Sequence, residues 1–210
     1  FFDAYTNGQY AGSAAVKVAQ EMELVLFEKQ DRALKEITIY LPNNHEARVL
    51  AVGLDRGAEI KSPPAFASPK PIVCYGSSVL QGTGAKHPAK TYPAILARRL
   101  NLDFVNLGFG GAGKAEKDVV DLVRQIDGAC YIFDLGKSYG AQTIEPYAQM
   151  LDAIRAAHSA APIFCVTPIY STKEASEPGY REKSEKLRTL MRQAANDRRK
   201  AGDKLMFVVE

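Results

Sequence analysis

Apolar and polar positions follow two different rhythms along this chain. Over Ile37-Thr38-Ile39-Tyr40-Leu41 the aliphatic side chains fall at every second place. That period of two predicts a strand with Ile37, Ile39 and Leu41 on one face. Glu23 to Phe27 and Arg48 to Leu54 are short runs that predict further strands, and turn formers such as Asn7-Gly8 and Pro42-Asn43-Asn44 separate them. Helical spacing is confined here to Asp31 to Lys35. Residues 1–62 thus predict a small, antiparallel, sandwich-like β domain. Pro63, Pro64, Pro69 and Pro71 follow. Proline fixes φ and removes a donor, so residues 63–71 predict a linker.

Beyond residue 71 the rhythm changes. Ile72 to Tyr75, Phe104 to Leu107, Cys130 to Leu135, Ile163 to Val166 and Leu205 to Val209 are continuous apolar runs of strand length. Between them apolar residues recur at helical spacing. The groups are Tyr92, Ile95, Leu96 and Leu100; Val119, Val120, Leu122, Val123 and Ile126; Tyr147, Met150, Leu151 and Ile154; and Leu187, Leu190, Met191 and Ala194. Strands that do not alternate are covered on both faces. Residues 72–210 therefore predict an α/β domain with a five-stranded parallel sheet between helical layers and right-handed crossovers.

Composition narrows the function classes. Hydrophobic residues make up 46% and charged residues 24% of the 210, which excludes a disordered chain. A net charge of +3 is too small to argue for nucleic acid. The basic stretch Arg181 to Lys204 is interleaved with acids and predicts a solvated helix face. No apolar run approaches the ~18 residues of a membrane span. The opening Phe1-Phe2-Asp3 has neither Met nor a targeting signal, and both ends are expected to lie inside a longer chain. Cys74, Cys130 and Cys165 sit in apolar runs without C-x-x-C spacing, so buried reduced thiols are expected.

In open α/β sheets ligands bind beyond the carboxyl ends of the strands, where strand order reverses. That rule selects Gly76-Ser77-Ser78-Val79-Leu80-Gln81-Gly82, Gly108-Phe109-Gly110-Gly111-Ala112-Gly113, Gly136-Lys137-Ser138-Tyr139 and Thr167-Pro168. Gly108-x-Gly110-x-x-Gly113 also fits a dinucleotide fingerprint, with Asp134 about 20 residues on. Asp134, however, precedes Leu135 and reads as a residue inside its strand, away from a ribose. Gly108 to Lys114 spells most of a P-loop, but Ala115 replaces the hydroxyl that would ligate Mg²⁺. A plain tight turn is the competing account of these glycines. Among the histidines, His158 reads as packed or dipole-satisfying at a helix C-terminus, His45 as a surface turn, and His87 as a loop residue able to line the cleft. Ser78 has an ordinary alternative as a helix N-cap.

Three blocks in order then carry a resemblance: Tyr75-Gly76-Ser77-Ser78-Val79-Leu80-Gln81-Gly82, Thr91 to Leu100, and Asn106-Leu107-Gly108-Phe109-Gly110-Gly111. Together they resemble the SGNH (GDSL-like) hydrolase/esterase family. More narrowly they resemble its branch with an N-terminal β-sandwich, whose Gly-x-Asp-Leu-Tyr-like run is similar to Phe2-Asp3-Ala4-Tyr5. The resemblance implies a flavodoxin-like three-layer α/β/α fold and a nucleophile at Ser78, with Ser77 where many relatives have Asp. It also implies an oxyanion-hole glycine at Gly111. The family's Gly-x-Asn block falls on Gly136-Lys137-Ser138, so Ser138 stands where the oxyanion-holding Asn is usual. An Asp-x-x-His pair supplying base and orienting carboxylate is expected after the fifth strand, past Glu210.

The activity so implied is serine esterase chemistry on small acyl esters, O-acetyl groups of carbohydrates in particular, with no metal or organic cofactor. The partners implied are a small-molecule or carbohydrate ester, with neither nucleic acid nor membrane, and the compartment implied is periplasmic or secreted. Two alternatives stay open. One is a non-catalytic ligand- or glycan-binding protein on the same fold, which Ser138 and the unseen Asp-x-x-His motivate. The other is an NAD-binding Rossmann-type oxidoreductase.

Overall fold

A computed structural model describes residues 1–15, 21–140 and 143–210. The chain opens with β1 (Phe2–Thr6) and β2 (Gln9–Ala14), joined through Asn7-Gly8, and β3 (Ile37–Tyr40) adds to the other side of β1. All pairings are antiparallel. Asn7 and Gly8 both take positive φ, 51° and 75°, as a two-residue turn matched to the twist of its strands requires.

The sandwich-like expectation reduces to this one sheet. Glu23 to Phe27 and Arg48 to Leu54 form no strand. A strand needs a ladder partner, and among the described residues this sheet has three strands and no further antiparallel sheet is present. The 23–27 run still packs, since a Cβ on Gly12 would collide with the Leu26 carbonyl. Ile37 and Leu41, expected to share a face with Ile39, are exposed. The sheet instead buries Asp3, Ala4 and Tyr5 of its central strand.

The second sheet is built from β4 (Ile72–Gly76), β5 (Phe104–Gly108), β6 (Cys130–Asp134), β7 (Ile163–Val166) and β8 (Met206–Val209). Its order is β5-β4-β6-β7-β8 and every pairing is parallel, as predicted. The helices are α1 (Ser78–Gln81), α2 (Tyr92–Leu100), α3 (Lys117–Val123), α4 (Glu145–Ala157), α5 (Lys173–Ser176) and α6 (Pro178–Lys200). Side chains alternate across β4. Val73 and Tyr75 join a core with residues of α3, α4 and α6, while Ile72 and Cys74 join a core with Leu80 of α1 and Ala97 of α2. Both faces are covered, which is why the strands read as continuous apolar runs.

The predicted stripe of α4 is buried in full, from Tyr147 to Ile154. In α2 the buried face is rotated: Pro93, Ala94 and Ala97 turn inward, whereas Tyr92 and Leu100 are exposed. Small residues let this short helix lie close to the sheet. His158 caps α4, and its Nε2 donates to the Arg124 carbonyl at 2.9 Å. The cysteines are free thiols; burial pushes Cys74 up to about 12 and Cys165 up to about 11.

Candidate functional site

From β4 the chain goes first to β5 on one side and then crosses to β6 on the other. The crevice between β4 and β6, past their carboxyl ends, is thus the place where this topology leaves room for a ligand. A cavity of ≈ 400 Å³ lies there. Ser78, Asp134, Lys137 and Ser138 line it, with Ile169, Tyr170 and Tyr180 forming the opposite wall.

The sheet register explains the convergence. Gly76 pairs with both Gly108 and Asp134, so all three strands end level. Ser77 is buried, and its N–H donates to the Asp134 carbonyl at 2.9 Å. That bond fixes the turn from β4 into α1. Ser77 occupies the N-cap and Ser78 the first helical position, and neither hydroxyl caps the helix. The N-cap alternative for Ser78 is therefore replaced by an uncapped serine on the cavity wall. Across the crevice, Gly136 has φ 56°, and a Cβ there would stand 3.0 Å from Ser77 Oγ. A residue with a side chain at 136 would be strained and crowded. The 3₁₀ turn Gly136–Tyr139 that Gly136 opens carries Ser138 into the cavity.

Ser78 and Ser138 thus share one cavity, while Gly111 is placed differently. It sits in the β5–α3 loop with φ 76°, does not line the cavity, and has open space where a Cβ would be. Its neighbour Gly110 makes the approach, since a Cβ there would lie 4.0 Å from Ser78 Cβ. Among the described residues the N–H groups of Ser78 and Gly111 find no protein acceptor.

The glycine run does not form a dinucleotide cradle. A Cβ on Gly108 would collide with the main chain of Gln81, so that glycine lets α1 pack onto β5. The helix α3 begins only at Lys117, after a left-handed Ala115. Asp134 is the last residue of β6, buried, and its Oδ2 accepts from the Tyr92 hydroxyl at 3.0 Å. Burial raises its carboxyl above the usual range, with the Tyr92 bond opposing. Asp134 is thus not an exposed strand-tip carboxylate placed for a ribose.

None of the histidines lines the cavity. His87, read as able to reach the cleft, is held by the N-terminal sheet. Its Nδ1 lies 2.8 Å from Asp3 Oδ1, and its ring lies tilted by 43° against Phe1, centroids 4.7 Å apart. Sequence reasoning also missed the wall after β7. Glu174, buried, accepts from Arg188 through both oxygens at 2.8 and 2.9 Å, from the Ser171 N–H at 2.9 Å and from Lys137. The Arg188 guanidinium, opposed only by burial, holds this carboxyl far below the ordinary range. The Lys137 ammonium lies 4.7 Å over the Tyr180 ring. The one available signal was position: this wall begins just after Thr167-Pro168, at a strand end the topology rule had selected.

Fold and cavity define an α/β protein of the flavodoxin-like class that carries a serine at its switch point. Residues 69–210 match the model of the GDSL-like lipase/acylhydrolase family, and the chain belongs to that family, the SGNH group. A search of curated protein sequences finds no match. Among solved structures the chain is similar to a protein from Bacteroides ovatus ATCC 8483 described as GDSL-like lipase, with 26% identity and TM-score 0.81 over 99% of this chain and 63% of that one. It is similar in fold to the salicylyl-acyltransferase SsfX3 of a tetracycline biosynthetic pathway, with 24% identity and TM-score 0.82 over 99% and 60%. It also shares its fold with a family two carbohydrate esterase from Clostridium thermocellum, solved with cellohexaose, with 16% identity and TM-score 0.65 over 100% and 74%. The chain thus spans under two thirds of the length of the first two.

Proposed function

We propose that the protein is a serine esterase acting on small acyl esters, O-acetyl groups of carbohydrates foremost, with Ser78 as nucleophile. The observation that carries this reading is the pairing of Ser78 and Ser138 around one cavity at the switch point, with neither hydroxyl engaged by a described residue. Ser78 Oγ attacks the ester carbonyl as a base takes its proton, the tetrahedral oxyanion collapses, and the alcohol leaves with that proton. Water then repeats the sequence on the acyl-enzyme and releases the acid. The free N–H of Ser78 and the Ser138 hydroxyl hold the oxyanion from the cavity, and the free N–H of Gly111 joins them from the β5–α3 loop, whose Gly110 borders Ser78. The base is the histidine of the Asp-x-x-His segment that the family resemblance puts after the fifth strand. The Ile169–Tyr170 wall frames the alcohol side, where exposed apolar groups suit a sugar face.

The test uses the full-length protein. It hydrolyses a short-chain aryl acetate and releases acetate from an acetylated oligosaccharide, and Ser78→Ala abolishes both with folding unchanged. Binding of the acetylated glycan without turnover in the unaltered protein would point instead to a non-catalytic binding protein.

A further inference from the structure

The last four carbonyls of any α-helix lack partners inside it. A four-residue helix also cannot sustain itself, because nucleation costs more than one turn of hydrogen bonds returns. The nucleophile-bearing α1 is such a helix, yet each of its carbonyls is satisfied. Ser78 O accepts from Gly82 N and Thr83 N at 3.1 and 2.8 Å, and Val79 O from Gly82 N at 3.1 Å. Leu80 O accepts from Asn106 Nδ2 at 3.0 Å, and Gln81 O from Asn43 Nδ2 at 2.8 Å. Two asparagines therefore hold the open end of α1. Asn106 belongs to β5 of the same domain, whereas Asn43 comes from the segment after β3.

Asn43 has a second grip, since its main-chain carbonyl accepts from Gln81 Nε2 at 3.2 Å. The fit depends on glycine at 82, where a Cβ would stand 2.5 Å from Asn43 Nδ2. The Gln81 side chain then reaches the glycine loop. Its Oε1 lies 2.9 Å from the place a Cβ on Gly110 would take, which is itself 4.0 Å from Ser78 Cβ. Hydrogen bonds thus tie Asn43 to Gln81, and the Gln81 side chain borders Gly110 beside Ser78.

We propose that Asn43 is a positioning residue for the reaction at Ser78: by binding Gln81 through main chain and side chain, the N-terminal part of the protein sets the placement of α1 against the Gly110-Gly111 loop. This rests on Ser78 being the nucleophile. It assigns the N-terminal region a part in the chemical step in addition to any part in substrate binding.

The experiment uses the full-length protein and p-nitrophenyl acetate, well below the melting temperature of every variant. Asn43→Ala lowers kcat about tenfold and leaves KM within about twofold, because small misplacement of a nucleophile costs rate rather than ground-state binding. Phosphonylation of Ser78 by an aryl fluorophosphonate slows by the same factor. Asn43→Asp keeps the size and the main-chain acceptor but loses the Nδ2 donor. It gives the same loss and serves where Asn43→Ala does not fold. A lowered Tm with kcat unchanged, or a raised KM alone, overturns the proposal. Turnover that survives Ser78→Ala overturns the esterase reading instead, so the two failures are distinguishable.

Discussion

Ser138 lines the cavity from a 3₁₀ turn, at the place where the family resemblance implies an asparagine amide. A serine hydroxyl is shorter than that amide, so under the proposed esterase reading it is the weaker oxyanion donor. Removing one oxyanion donor costs about 10²–10³ in kcat, so a partial donor leaves rate to be recovered. Ser138→Asn is expected to raise kcat by about tenfold with KM nearly fixed, since the contact tightens only as the oxyanion forms. Steady-state kinetics on an aryl acetate check this. A fall in activity would mean that the serine is a tuned part of the site.

At the scale of elements, the cavity wall is tied together by one carboxylate. Glu174 joins the turn that carries Ser138 (through Lys137), the β7–α5 loop (through the Ser171 N–H) and α6 (through Arg188). Its pKa lies below that of an unfolded glutamate, chiefly because of Arg188. A depressed carboxylate contributes stability above its unfolded pKa and loses it as pH falls toward its folded value. Glu174→Gln is therefore expected to lower Tm at neutral pH, with the gap to the unaltered protein closing as pH drops below the usual carboxylate range. Thermal melts across pH measure this, and a gap independent of pH would remove the ion pairs from the explanation. The strand runs and the α4 stripe were legible in sequence because core burial imposes their periods. The Glu174 cluster was not, because its members are separated along the chain and charged residues after a strand read as ordinary surface.

At the scale of the whole molecule, the two sheets are joined through a few buried contacts. Asp3, buried, accepts from Ser13 Oγ at 2.5 Å and from the Ala89 N–H at 3.0 Å, and it pairs with His87. The Arg98 guanidinium lies 4.7 Å over Tyr5 and 5.3 Å over Tyr40. Removing Asp3 strands the buried Ala89 N–H and takes a partner from the part-buried Ser13 and His87. Asp3→Ala is expected to destabilise by about 2 kcal/mol, a Tm decrease of about 4–8 °C for a chain of this size. An unchanged Tm would show that the sheets melt independently.

The sequence by itself determined the parallel sheet, the placement of its strands and the loops that meet at its carboxyl edge. Hydrophobic period and glycine position are local consequences of burial and backbone sterics, so they are written residue by residue. It also placed Ser78 and Ser138 at that edge, through strand ends and block resemblance. Tertiary structure alone decided the rest. Arg48 to Leu54 has strand-like content but forms no strand, because pairing needs a neighbour that periodicity cannot supply. Asp134, Glu174, His87 and Asn43 acquired their partners from 42, 14, 84 and 38 residues away along the chain. Polar pairing at such separations depends on where the packed elements bring two side chains, and no one-dimensional pattern records that.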